Sequence, residues 1–233
     1  MMLAKSGYDI IAVARRRELL ESLASELQAF GAQTRVVVAD LSTSAGVQSV
    51  IDSASDVDFL VLNAGITRAA RVGTTSSDEI AKLNTLLATG VVDVCEAIVP
   101  RMIQRKNGDV VIVSSIAAFI PMPKSALYAA TKTYVMSYGR SLNLEVRSSG
   151  VRVCVICPGY VRTELHQNAG LAHLRQQVPK WLWINSHDVV SAALDGLHKN
   201  KSVVVPGFVY RLARPFLGSR VTQAIWQSTT KRN

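Results

Sequence analysis

The feature that most constrains this chain is an alternation, repeated almost from end to end, of short unbroken apolar runs with longer stretches of helical periodicity. Tyr8 to Ala14, Gln33 to Ala39, Asp58 to Asn63, Asp109 to Ser114, Val151 to Cys157 and Lys201 to Val205 read as strands. They are rich in Val and Ile and lack polar alternation, which suits a parallel sheet covered on both faces. Between them, Glu18 to Phe30, Ser44 to Ser53, Ser76 to Gln104, Ala126 to Ser148 and Asp188 to Lys199 read as helices. The pattern predicts an α/β fold, a Rossmann-type doubly wound parallel sheet. A length of 233 residues, without repeats or low-complexity linkers, fits one domain. Residues 1–207 carry the pattern, and 208–233 form a basic amphipathic C-terminal tail.

Composition removes several other classes. Nearly half the residues are apolar and 18% are charged, as in a globular chain rather than a disordered one. The net charge of +9 is dispersed apart from Arg15-Arg16-Arg17 and the tail. No recognition motif accompanies it, so a solvated basic surface accounts for it and no nucleic-acid partner is expected. The three cysteines give no even disulfide framework, which fits a reducing, cytoplasmic setting. Cys154 and Cys157 form a C-x-x-C, but within a strand a three-residue offset sends them to opposite faces. His166, His173 and His187 lack metal-ligand spacing, and no metal is expected. No run resembles a signal peptide, and none offers the ~20 apolar residues of a spanning helix.

The residues that carry chemistry lie at strand ends. Tyr128 and Lys132 are four apart in a helical pattern, so they share one face with the ammonium near the phenol. A free tyrosine has a pKa near ~10, and a neighbouring cation moves it toward neutrality. Ser114 and Ser115 follow the strand Val110 to Val113, at the carboxyl end where open α/β sheets place their ligands. A hydroxyl there can donate to a substrate oxygen and hold it against the phenol. Asn63-Ala64-Gly65 and Pro158 to Thr163 leave two further strand ends. Each turn is ordinary alone, and four at successive strand ends point to one site.

With these residues the chain resembles the classical short-chain dehydrogenase/reductase family, from Leu3 to about Gly207. The resemblance implies an oxidoreductase that interconverts a small-molecule carbonyl and an alcohol by hydride transfer. Ser115, Tyr128 and Lys132 match the family's catalytic serine, tyrosine and lysine. The tyrosine then acts as acid/base on the reacting oxygen, the lysine lowers its pKa and holds the nicotinamide ribose, and the serine orients the substrate. Asn63, Ala64 and Gly65 match the cofactor segment N-A-G, and Asp40 and Leu41 match the pair beside the adenine. Pro158, Gly159, Val161 and Thr163 match the segment closing over the nicotinamide, with Thr163 at its carboxamide.

Cofactor preference follows from charge. In this fold an acid at the end of the second strand binds the ribose 2′-hydroxyl of NAD, whereas arginine accommodates the 2′-phosphate of NADP. Here Arg15 and Arg16 follow Ala14, and the first acid is Glu18. Guanidinium matches phosphate by bidentate geometry. NADP(H) is expected over NAD(H), with Arg15 and Arg16 as contacts.

Two departures from the family stand out. Members open with a strand and a T-G-x-x-x-G-x-G loop that cradles the pyrophosphate at a helix N-terminus. Here the first strand is missing, and Met1 to Lys5 reads as the last turn of the helix after such a loop. The missing strand belongs between those containing Val13 and Leu60. Its loss mid-sheet leaves backbone groups unpaired, so a start codon assigned roughly twenty residues late is expected. Second, many members carry an asparagine on the helix before the Ser115 strand. Counting back from Pro100 puts Leu87 there, with Asn84 one turn earlier, and only a helix irregularity brings Asn84 into place.

The segment from Glu164 to Ser186, with Leu165, Leu171, Leu174, Val178, Trp181, Leu182 and Trp183, reads either as an apolar lid over a lipophilic substrate or as part of the domain's own core. The tail reads as an amphipathic helix touching an anionic membrane surface peripherally, or as a contact with a second subunit of a homo-oligomer. An alternative reading of the whole is a catalytically silent binding or scaffold protein, because the pyrophosphate loop is absent.

Overall fold

The computed structural model describes residues 1–54, 56–67, 69–163 and 177–217. All six predicted strands form: β1 (Ile10–Ala14), β2 (Thr34–Val38), β3 (Phe59–Leu62), β4 (Gly108–Val113) and β5 (Val151–Ile156), with β8 (Val203–Val204) last. Between β5 and β8 lie two that the sequence pattern does not signal, β6 (Tyr160–Val161) and β7 (Trp183–Ile184). Among the described residues all pairings are parallel.

The helices are α1 (Met2–Lys5), α2 (Arg17–Gln28), α3 (Ser44–Ser53), α4 (Ser77–Asn84), α5 (Gly90–Arg105), α6 (Ala126–Val146), α7 (Ser186–His198) and α8 (Phe208–Ala213). Their starts have local causes. The Thr43 hydroxyl accepts from Gly46 N at 3.1 Å and the Ser76 hydroxyl from Glu79 N at 3.3 Å. Each satisfies an N–H that the helix leaves without a partner. Asp78 and Glu79 in the first turn of α4 complement its dipole.

Period-two geometry sorts the strand side chains between two helical layers. Val110 and Ile112 of β4 join Val153 and Val155 of β5 beneath Ile98 and Met102 of α5 and Val135 and Leu142 of α6. Val111, Cys154 and Ile156 face the other way, against Ala193 and Leu197 of α7. Each large side chain so buried contributes about 1.5–3 kcal/mol of apolar transfer. Cys154 and Cys157 lie in these two separate clusters, on opposite faces, and burial pushes their thiols up to about 12 and about 11. They do not form a joint thiol pair.

The sheet is divided between β1 and β3. One part is β2-β1 and the other runs β3-β4-β5-β8. Between them opens a cavity of about 1680 Å³, lined by Ile11 and Val13 of β1, Leu60 and Leu62 of β3, and Val47 and Val50 of α3. Among the described residues no strand pairs with the β1 and β3 edges that face it. Val61, in a run that reads as sheet interior, is 46% exposed and lines this cavity. The volume exceeds the ~300–1,000 Å³ typical of a ligand pocket, because the same cavity continues across the strand ends.

Beyond Gly207, Tyr210 and Leu217 are buried in the main core, so the described start of the 208–233 segment packs on the domain. The rest of that segment, with Arg220, Val221, Ile225, Trp226, Lys231 and Arg232, lies outside the described residues, as do Leu165, His166, Leu171, His173 and Leu174. His187 is exposed in the first turn of α7.

Candidate active site

The site begins where β4 ends. Ser114 is buried, and its hydroxyl donates to the Lys132 carbonyl oxygen at 2.7 Å, docking the first turns of α6 onto the strand end. Ser115, in extended backbone, turns its hydroxyl to accept from Ala117 N at 3.1 Å and so opens the 3₁₀ turn Ile116–Phe119. One face of α6 then carries Tyr128 and Lys132 side by side, as the four-residue spacing requires.

Lys132 is 5% exposed, and its ammonium donates to the Val113 carbonyl at 2.9 Å. It stands 5.9 Å from the centroid of the Tyr128 ring. Burial disfavours its charged form and lowers its pKa to about 8, with Cys157 acting weakly in the opposite sense. Gly65 comes near from the end of β3. A side-chain carbon built there would lie 3.3 Å from Leu87 and 3.8 Å from the Lys132 ammonium. Glycine keeps this gap open for a ligand edge.

At the other end of the cavity, Arg15 and Arg16 are exposed on its rim after β1. Asp40 lies close by, its carboxylate accepting from the amide of Ser42 at 3.0 Å and from its hydroxyl at 2.8 Å. These two bonds, and then the charges of Arg15 and Lys82, hold its pKa below the ordinary carboxylate value. Ser115, Tyr128, Lys132, Arg15, Arg16, Asp40, Leu41, Asn63, Ala64, Gly65, Pro158, Gly159, Val161 and Thr163 all line this one cavity. The guanidinium-rich rim, the open strand-end turns and the buried cation at the far end fit an extended, anionic dinucleotide.

Asn84 is different. A helix irregularity is present: Thr85–Thr89 is a π-helical turn, closed by Gly90 N donating to the Thr85 carbonyl. It brings Thr85, Leu86 and Gly90 to the cavity but not Asn84. The position against Gly65 belongs to Leu87, 2% exposed, which offers no polar side chain. The sequence leaves Leu87 and Asn84 both open for this place, and the structure puts Leu87 there.

A family model described as short chain dehydrogenase matches residues 1–173. The chain belongs to the short-chain dehydrogenase family. Relatives agree with this assignment. The oxidoreductase UcpA of Escherichia coli (strain K12) is 35% identical over 170 residues, covering 71% of this chain and 64% of UcpA. Carbonyl reductase family member 4 of Xenopus laevis is 25% identical over 193 residues, covering 83% of this chain and 82% of that protein. A solved short-chain dehydrogenase from Sphingobium yanoikuyae, in complex with NADPH, superposes with a TM-score of 0.83 at 27% identity, over 100% of this chain and 91% of that one. This short-chain dehydrogenase is thus an NAD(P)-dependent oxidoreductase by family, with the Rossmann-type α/β fold expected of it. Among the described residues no helix is long and apolar enough to cross a membrane.

Two elements of the site carry no local signal in the sequence. The parallel pair β6 and β7 ties Tyr160 to Trp183 and Val161 to Ile184, anchoring the segment after β5. The π turn is the other, since Thr85-Leu-Leu-Ala-Thr89 has ordinary helical composition.

Proposed function

We propose that the chain is an NADP(H)-dependent oxidoreductase that interconverts a lipophilic carbonyl compound and its alcohol. The observation carrying this reading is the convergence of Ser115, Tyr128 and Lys132 at the carboxyl end of β4, in a cavity whose far rim holds Arg15 and Arg16. The NADPH bound to the Sphingobium protein supports the same cofactor here. When bound, the nicotinamide supplies or accepts the hydride.

The geometry supports an assignment of the protein side of the chemistry. The Ser115 hydroxyl orients the substrate oxygen by donating to it, as an oxyanion-hole donor does. Tyr128 passes its phenolic proton to that oxygen in reduction and recovers it in oxidation. The Lys132 ammonium favours the phenolate that remains. Its bond to the Val113 carbonyl fixes where that positive charge sits. Arg15 and Arg16 bind the 2′-phosphate, with Asp40 and Leu41 beside the adenine. Asn63, Ala64 and Gly65 pass along the ribose side, and Pro158, Gly159, Val161 and Thr163 cover the nicotinamide. Ile66, Ile116, Ala117 and Met122 line the cavity around Ser115 with apolar surface, favouring a lipophilic substrate. Residues 1–207 form the catalytic domain in this reading.

The test is NADPH oxidation by the purified chain against a panel of ketones and aldehydes, with Tyr128→Phe as control. A fall of about 10²–10⁴-fold in kcat for Tyr128→Phe is expected, the usual weight of general acid catalysis. Equal activity in the two proteins would overturn the mechanism.

A further inference from the structure

Tyr210 belongs to the six-residue helix α8, whose neighbours Phe208 and Leu212 are 68% and 60% exposed. Tyr210 itself is 3% exposed and reaches back beneath the site. Its hydroxyl donates to the Leu182 carbonyl at 2.7 Å and accepts from Tyr160 N at 3.1 Å. The phenol therefore joins two separate stretches of backbone, one entering β6 and one entering β7. These strands are two residues each, and a ladder so short is marginal alone. A main-chain bond from Arg162 N to the Ile184 carbonyl, at 3.0 Å, extends this short pairing by one residue.

The ring has its own contact. A side-chain carbon built on Gly159 would lie 2.0 Å from Cζ of Tyr210 and 2.4 Å from both Cε atoms, so the ring lies flat against the glycine backbone. On its other side the segment is tied to the catalytic turn, since Ile116 N donates to the Pro158 carbonyl at 2.8 Å. An unbroken line of contacts thus runs from Tyr210 through Gly159 and Pro158 to the residue after Ser115. A phenylalanine would fill the same space, so the hydroxyl is not explained by packing. Both of its bonds go to backbone at the segment lining the cavity.

We infer that Tyr210 is a positioning residue for the cofactor: ring and hydroxyl together hold the Pro158–Thr163 segment at the height where it covers the nicotinamide end of the cavity. The inference rests on the oxidoreductase reading for its second half, since it says what the held segment is for. The first half, the clamp, concerns the chain alone. Burial pushes the Tyr210 phenol above its ordinary value, which favours the protonated form that donates to the Leu182 carbonyl.

Tyr210→Phe tests both halves, because it keeps the ring and removes only the oxygen. In the cofactor-free chain, amide exchange of Tyr160 and Arg162 should quicken about fivefold to tenfold, the size expected for one or two neutral hydrogen bonds, while β4 and β5 amides stay unchanged. With NADPH, the KM for cofactor should rise several-fold, with kcat and the KM for the carbonyl compound within about twofold of the parent. Unchanged exchange at Tyr160 overturns the clamp. Quickened exchange with an unchanged KM for NADPH overturns the positioning role and leaves a structural tyrosine. If the parent protein neither binds nor oxidises NADPH, the oxidoreductase reading fails and the positioning role with it, while the exchange measurement still decides the clamp.

Discussion

The Lys132 ammonium donates to the carbonyl oxygen of Val113 at 2.9 Å while standing 5.9 Å from the centre of the Tyr128 ring. A strand end thus holds the cation, and the helix that carries the cation also carries the phenol. Ser114 locks the same helix to the same strand through the Lys132 carbonyl. Placement of the charge depends on two hydrogen bonds that join the end of β4 to α6, one accepted by each element, which makes several consequences measurable.

Ser115→Ala should lower kcat about 10²-fold, the weight of one oxyanion-hole donor. The same change removes the acceptor for Ala117 N and should cost about 1 kcal/mol of stability, as loss of a helix cap does. Steady-state kinetics beside a melting curve separates the two effects. Full activity with the stability loss alone would reduce Ser115 to a cap.

Lys132→Met should abolish turnover yet stabilise the fold. The folded pKa of about 8 lies below the ordinary 10.5, so the unfolded chain binds more protons across that interval. The penalty of burying the charge is therefore fully present below pH 8 and disappears as pH rises toward 10.5. Replacing lysine should raise Tm by roughly 5 °C at pH 7, or about 2 kcal/mol after the lost Val113 bond is counted, and by little at pH 10.5. Melting curves of both proteins from pH 6 to 10.5 check the sign, and an advantage growing with pH would refute it.

Substituting Arg15 and Arg16 together by alanine should raise the KM for NADPH about 10- to 100-fold and leave that for NADH nearly unchanged, since only NADPH carries the extra phosphate. Equal effects on both cofactors would move the phosphate contact elsewhere.

At the opposite end of β4, Arg152 binds Asp109 through two bonds, Nε at 2.6 Å and Nη2 at 2.7 Å, with Asp109 8% exposed. Arg152→Ala should cost about 1–3 kcal/mol in urea unfolding, because it leaves a nearly buried carboxylate without its partner. Specific activity per folded molecule should not change, as this end of the strand is remote from Ser115. A parallel loss of kcat would mean that the strand transmits strain to the site.

The six strands and their helices were legible in the sequence because strand and helix formation here follows local periodicity, with ends misjudged by one or two residues where pairing stops. Legible too was the clustering of Ser115, Tyr128, Lys132, Asn63 and Pro158, because a parallel sheet brings all its carboxyl ends to one edge. The π turn at Thr85–Thr89 was not, since its composition is ordinarily helical and Gly90, which closes it, packs against the distant Val47 of α3, where an added side-chain carbon would lie 2.9 Å away. Nor was Tyr210, whose partners Leu182 and Tyr160 are 28 and 50 residues distant.

By itself, then, the sequence determined the order of elements, the face shared by Tyr128 and Lys132, and the basic turn at Arg15 and Arg16, because each is set by neighbours within about a helical turn or a strand. Only the tertiary structure decided that Leu87 rather than Asn84 meets Gly65, that Tyr210 clamps the segment after β5, and that the cavity runs on between β1 and β3. Those outcomes depend on how distant surfaces fit, and close packing admits few solutions that no short stretch of residues can specify alone.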